Sequence, residues 1–262
     1  MNILFVGDIV GGAGRKCLAR HLPKLRERHR PSLVIANGEN SAGGFGITRE
    51  VARELFELGV DLITTGNHVW DKREVYEYLD STDRVLRPAN YPPGVPGAGS
   101  AVVDADGVKV GVINLMGRVF MSNLDCPFRK AKELVPKLKA QGAEVVLIDF
   151  HAEATSEKIA LGRYMDGEIA ALIGTHTHVQ TADERLFPGG TAYISDAGMT
   201  GPSESVLGVS IEKAVERFLT QTPTRFDTAK GPAQFQAVVI SADPDSGRAT
   251  GIERINIMPD GE

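Results

Sequence analysis

The sequence predicts an α/β (α+β) fold, with helices flanking a mixed sheet or two sheets packed face to face. Three observations lead there. Short apolar runs of strand length alternate with amphipathic stretches through the first half of the chain. Two hairpin patterns follow, one turning at Asp106-Gly107 and one across Asp243-Pro244-Asp245-Ser246-Gly247. Polar residues gather at the ends of successive strand patterns, the side on which α/β sheets bind ligands.

Taken in order, Ile3 to Val6 reads as a buried parallel strand bounded by Gly7-Asp8. After Gly11 to Gly14, Leu18, Leu22 and Leu25 recur at helical spacing, and Pro31 punctuates the end. Ser32 to Ala36 is the next strand, running into Asn37-Gly38-Glu39-Asn40. Gly43 to Gly46 is a flexible turn, and Thr48 caps a helix carrying Val51, Leu55 and Leu58. Asp61 to Thr65 is a strand that ends at Gly66-Asn67-His68, before a short helix over 72–79 and a Pro/Gly-rich loop over 88–99. The hairpin of 101–113, a helix over 127–140 and the strong strand 144–148 lead to Asp149-Phe150-His151. A helix over 156–164 and the apolar run 169–173 deliver Gly174-Thr175-His176-Thr177-His178. A strand at 192–195, a Gly-rich loop at 198–208, a helix at 211–219 and a hairpin of 235–241 with 251–257 complete the pattern. No repeat or linker divides it, so residues 1–262 are read as a single domain.

Composition narrows the functional classes. Hydrophobic residues make up 42% and charged residues 24%, ordinary for a soluble enzyme. A formal charge of −5 argues against an extended nucleic-acid-binding surface. Cys17 and Cys126, the two cysteines, lie far apart and in no CxxC arrangement, so neither a disulfide framework nor a thiolate zinc site is suggested. The opening residues show no basic segment followed by a long apolar core, and no uncharged run spans a bilayer, so the expected location is cytoplasmic with no membrane partner. A homo-oligomer is left open.

The chemistry lies in the strand ends. His176 and His178 follow an apolar run one residue apart, and an extended backbone would aim both imidazoles the same way. Asp8, Glu39 with Asn40, Asn67 with His68, and His151 end four other strands. Glycine precedes three of these groups, at Gly7, Gly38 and Gly66, where a side chain would crowd an ion. Carboxylate, amide and imidazole donors without thiolate suit manganese, iron or zinc. Seven or eight ligands exceed the needs of one ion and imply two, bridged by a carboxylate at ~3.5–4 Å.

The order Gly7-Asp8, Gly38-Glu39-Asn40, Gly66-Asn67-His68, His151 and Gly174-Thr175-His176-Thr177-His178 resembles the calcineurin-like metallophosphoesterases. It looks most like their YmdB-type branch, bacterial cyclic-nucleotide phosphodiesterases. The resemblance implies a mixed-sheet β-sandwich flanked by helices, a four-layer metallophosphoesterase architecture. It implies a dinuclear site hydrolysing 2′,3′- or 3′,5′-cyclic nucleotides, or another phosphodiester, by a metal-bridging hydroxide. Carried over by position, Asp8, Glu39, Asn40 and His178 hold one metal. Glu39, Asn67, His151 and His176 hold the other, and His68 is the general acid. The ions are divalent or mixed-valence iron or manganese, with zinc as an alternative.

Three positions depart from the wider superfamily. Asp8 is followed by Ile9-Val10 rather than x-His, the bridging carboxylate is Glu39 rather than Asp, and Val69 replaces an acidic residue. The YmdB-type branch shares the first two, and Asp71 is placed to orient His68 instead. Bland readings stand beside these: Asp8 and Glu39 as loop carboxylates, Asn40 and Asn67 as caps, His151 as a buried structural histidine. Phe45 and Trp70 are read as core packing, with base stacking as the alternative. His21 and His29 are read as surface residues. Gly11 to Gly14 fails as a dinucleotide fingerprint because its spacing is not GxGxxG. Another metal-dependent ester hydrolase, or a regulatory protein that binds nucleotide without turnover, are the competing functions.

Overall fold

The computed structural model describes residues 1–259. Strand β1 (Asn2–Val6) runs into a two-residue strand β2 (Asp8–Ile9), helix α1 (Gly11–His29), β3 (Leu33–Asn37), α2 (Arg49–Glu57), β4 (Leu62–Thr64) and α3 (Val75–Asp80). The hairpin β5 (Ser100–Ala105) and β6 (Val108–Met116) leads to α4 (Pro127–Ala140), β7 (Val145–His151), α5 (Thr155–Tyr164) and β8 (Ala171–Thr175). Then come β9 (Arg185–Leu186), β10 (Ala192–Ile194), β11 (Met199–Pro202), α6 (Ile211–Thr220), β12 (Ala233–Asp243) and β13 (Arg248–Ile257).

Two mixed sheets result. The first has the order β2-β11-β12-β1-β3-β4, with β13 also on β12; the second is β5-β6-β7-β8-β10-β9. In the first, β1, β3 and β4 are parallel neighbours. In the second, β6, β7, β8 and β10 are parallel.

The alternation of side chains along each strand explains the layering. Ile3 and Phe5 of β1, with Leu33 and Ile35 of β3, face Val145 and Leu147 of β7 and Ile173 of β8 across the gap between sheets. Their neighbours Leu4, Val6, Val34 and Ala36 pack outward onto Leu18, Leu22 and Leu25 of α1 and Leu55 of α2. On the far side, Val146, Ile148 and Phe150 meet Ala131, Val135 and Leu138 of α4 and Leu161 of α5. Strands buried on both faces read as continuous apolar runs, which is how these strands appear in the sequence. Of the two packings the sequence left open, the face-to-face one is realised: a β-sandwich with helices outside both sheets.

Some boundaries differ from expectation. Helix α1 begins at Gly11, so the glycines expected to precede it form its first turn. A Cβ at Gly14 would strike the carbonyl of Thr200, so glycine lets α1 lie against β11. Helix α3 starts three residues later than expected, and the loop expected at 198–208 contains β11, parallel to β2. Thr48 does cap α2, accepting from the Val51 amide at 3.2 Å. The Asp106-Gly107 turn has positive φ at both residues, 57° and 87°, the twist that hairpins favour. His21 and His29 are half-buried rather than surface residues: the His21 ring lies 5.8 Å from Phe235, and His29 Nδ1 lies 3.9 Å from Glu253.

Phe5 fills the space between the sheets with 1% of its surface exposed. Phe5→Ala should cost about 3–5 kcal/mol of unfolding free energy in urea melts. A loss under about 1 kcal/mol would mean the inter-sheet core closes around the gap.

Candidate metal centre

The carboxyl ends of the parallel strands in both sheets open on the same side. Asp8 follows β1, Glu39 and Asn40 follow β3, and Asn67 and His68 follow β4, all from the first sheet. His151 is the last residue of β7, and His176 and His178 follow β8, from the second. All eight expected residues are brought together at the seam between the sheets.

They form two groups that share Glu39. In one, His151 Nε2 lies 3.0 Å from Glu39 Oε1, 2.9 Å from Asn67 Oδ1 and 3.0 Å from His176 Nδ1. In the other, Asn40 Nδ2 lies 3.1 Å from both Glu39 Oε1 and His178 Nε2, and His178 Nε2 is 3.9 Å from Asp8 Oδ1. Glu39, His151 and His176 offer ligand atoms close enough to hold one ion, as do Asp8, Glu39 and His178.

Partners on the far side of each imidazole set its tautomer. His151 Nδ1 donates to Thr175 Oγ1 at 2.9 Å, and that hydroxyl donates on to Asp149 Oδ1 at 2.7 Å. His178 Nδ1 donates to the carbonyl of Leu207 at 2.9 Å. His176 Nε2 lies 3.1 Å from Glu153. In its neutral form each ring therefore offers its other nitrogen to the centre as an acceptor, where it meets oxygens and other ring nitrogens. Asp8 Oδ1 is fully buried with no hydrogen-bond partner among the described residues. A buried acceptor without a donor is costly, and a cation would answer it. The donor set fits metal ions.

Ionisation reflects the same crowding. Burial alone would lower His151, but Glu39, hydrogen-bonded to it, and then Asp8 and Asp149 push it up to about 9. Burial would raise Glu39, yet His151 and then His68 hold it at about 2. Burial raises Asp8 well above the carboxylate range. Burial, then the charge on His151, lowers His176 to about 3.

Two expectations change. The segment after β8 is not extended: His176 has φ 103° and His178 φ 63°, both in the left-handed region. Strand alternation therefore does not aim the pair. Backbone strain at adjacent site residues turns one imidazole into each group instead. Phe45 is not core; it lines the cleft over the site, its ring 5.0 Å from His68 and edge-on. Trp70 does pack inward, against Tyr76 and Tyr91.

Of the three expected glycines, Gly66 stands against the centre, where a Cβ would strike Glu39 Oε2 and the His151 ring; one at Gly38 would meet Ile63 instead. Sequence reading missed Asp149, fully buried and accepting from Asn37 Nδ2 at 3.0 Å as well as from Thr175. A carboxylate inside an apolar strand run was the available signal. It also missed Glu153, Asp196 and Leu207.

His68 lines a cleft of about 260 Å³ above the two groups, with Phe45, Leu207 and Val209 on its walls. Its Nδ1 lies 2.9 Å from Asp71, as the sequence led one to expect.

Residues 4–255 match the YmdB-like proteins. A 2′,3′-cyclic-nucleotide 2′-phosphodiesterase of Bacillus subtilis (strain 168) is 49% identical over 260 residues, covering 99% of this chain and 98% of that protein. A solved structure of a hypothetical protein from Thermus thermophilus has a TM-score of 0.93 at 44% identity, covering 99% and 100% of the two chains. The structure of a novel phosphatase from Mycoplasma pneumoniae also scores 0.93, at 34% identity, covering 99% and 94%. With that family match on nearly the whole chain, this chain belongs to the YmdB-like family.

Proposed function

We propose that this chain is a two-metal phosphodiesterase acting on cyclic nucleotides, with 2′,3′-cyclic nucleotides as the first substrates to test. The observation that carries the reading is the pair of convergent donor groups sharing Glu39 beneath the cleft that His68 lines. The activity named for the Bacillus subtilis relative supports the substrate class. Asp8, Glu39, Asn40 and His178 are assigned to one ion; Glu39, Asn67, His151 and His176 to the other. Asn40 now turns its Nδ2 inward; half a turn of the amide presents its oxygen without changing its shape. Oxygen and imidazole donors favour iron or manganese, with zinc as the alternative.

When bound, two such ions acidify a water as nucleophile and neutralise charge on the phosphoryl oxygens. The chain's own residues supply the rest. The bond from His68 Nδ1 to Asp71 leaves Nε2 to carry a proton to the leaving alkoxide. Phe45, edge-on to His68, gives the cleft an apolar wall for a base. Thr175 and Asp149 hold His151 in the tautomer that offers Nε2. We further propose that residues 1–262 act as one domain, because the site draws on strands of both sheets and β12 pairs with β1. A cytoplasmic setting agrees with Cys17 and Cys126 remaining free thiols. Among the described residues, no helix is long and apolar enough to cross a membrane.

With manganese or iron supplied, the protein should hydrolyse bis-p-nitrophenyl phosphate and 2′,3′-cyclic nucleotides, with much less turnover of p-nitrophenyl phosphate. Chelation should abolish activity. Tight metal binding without turnover of any of these esters would overturn the enzymatic reading.

His68→Ala should retain two metals per chain, counted by elemental analysis, and lose roughly 10²–10⁴-fold in kcat. Loss of metal in that variant would reassign His68 to ligation.

Metal must displace the proton that His151 holds up to about pH 9, so metal affinity should climb by about one log unit per pH unit below that value. Titration calorimetry from pH 6.5 to 9 would test this; a flat profile counts against ligation by His151. In the metal-free chain the sign for stability is opposite. The raised pKa stabilises fully below 6.5, the value without the fold, and that contribution is lost as pH rises through about 9.

A further inference from the structure

Beneath the loop carrying His176 and His178 lies a buried ion pair that takes no part in the donor groups. Lys158 of α5 and Asp196, two residues beyond β10, are each 1% exposed, and Lys158 Nζ donates to Asp196 Oδ2 at 2.9 Å. The same oxygen accepts the Thr177 backbone N–H at 3.0 Å and the Thr177 hydroxyl at 2.8 Å. Thr177 is the residue between the two histidines. The other oxygen, Oδ1, accepts the Gly198 N–H at 2.9 Å, and the Gly198 carbonyl in turn accepts the Asp8 N–H at 2.9 Å. One carboxylate thus grips the peptide that separates His176 from His178 and, through Gly198, the backbone of Asp8.

We propose that Asp196, with Lys158 as its counter-ion, is a positioning residue that sets the spacing between the two metal positions; this rests on the two-metal reading above. His176 and His178 face different groups only because their backbones hold left-handed φ values, which β-carbon-bearing residues keep only when over-determined. The two bonds from Thr177 to Asp196 supply that constraint. Both carboxylate oxygens are needed as acceptors. An amide of the same shape has one acceptor oxygen, so it can serve Thr177 or Gly198 but not both. The lysine matters differently. It offsets the charge that burial makes costly while donating to the same oxygen that holds Thr177.

The test uses manganese, which binds such oxygen and imidazole sets and reports the spacing of a pair through spin coupling. The full-length wild-type chain is titrated first by calorimetry and by electron paramagnetic resonance. Two manganese ions per chain with a coupled spectrum are expected. Fewer than two would overturn the two-metal reading and this proposal together. The variant Lys158→Met/Asp196→Asn removes the pair without stranding a charge, and Thr177→Val removes the hydroxyl donor alone. The double variant should bind its second manganese ~10–100-fold more weakly and lose the coupled signal. Thr177→Val should show a smaller weakening in the same direction. A purely structural role for the pair would lower the melting temperature and leave affinity and coupling unchanged. That result, with two ions in wild type, would overturn the assignment of Asp196 alone. Should the double variant fail to melt cooperatively, Thr177→Val decides: an altered coupled spectrum supports the proposal, and an unchanged spectrum with unchanged affinity overturns it.

Discussion

A set of buried lone pairs with too few protons to share among them governs this molecule. His151 Nε2, His176 Nδ1, Asn67 Oδ1 and Glu39 Oε1 converge within hydrogen-bonding distance, and the two imidazoles are already bonded on their far sides to Thr175 and Glu153. Asp8 Oδ1 faces the same region with no donor at all. Folding gathers these atoms because the apolar runs that precede them must be buried, and the strand ends follow. The hydrophobic core thereby stabilises an arrangement that is unfavourable on its own electrostatics. Without an added positive charge, the acidic neighbours of His151 push its pKa up to about 9, and burial raises that of Asp8.

Much of this was legible in the sequence, and the reason is local. Apolar runs buried on both faces have no period to confuse, so β1, β3 and β8 could be placed to within two residues, whereas β7 runs three residues past its expected end, to His151. All eight polar residues singled out lie at the seam, because a strand end in a parallel sheet is a position known from order along the chain. The sandwich itself came from resemblance, since nothing in a single strand says whether its second face meets a helix or another sheet. The path after β8 was misread: alternation holds only while the backbone stays extended, and the strain at His176 and His178 depends on Asp196, eighteen residues beyond His178. Phe45 was misread for a related reason. Its neighbours are glycines of a turn, and whether a turn folds inward or over a cleft is decided by what lies across it.

The seam gives the two sheets different responsibilities. The first contributes the carboxylates and both amides, and the second contributes three imidazoles. Each sheet alone presents only part of the donor set, so the two groups are complete only in the assembled sandwich. Asn37 to Asp149 and Glu39 to His151 already cross the gap as polar links beside the apolar contacts of Phe5 and Leu147. An ion held at the seam would tie the sheets at the end where their apolar packing gives way to polar groups.

The carbonyl of Leu207 has a consequence for how such a site changes over evolution. It fixes the tautomer of His178, while the side chain of the same residue, half-exposed and on a backbone with φ 54°, stands at the wall of the cleft. Backbone and side chain at one position thus answer to different selective demands. Exchange of the side chain can retune which ligands enter without touching His178, whereas an insertion or deletion that moves the carbonyl disturbs His178 first. Divergence in ligand preference along this wall should therefore proceed by substitution at constant loop length.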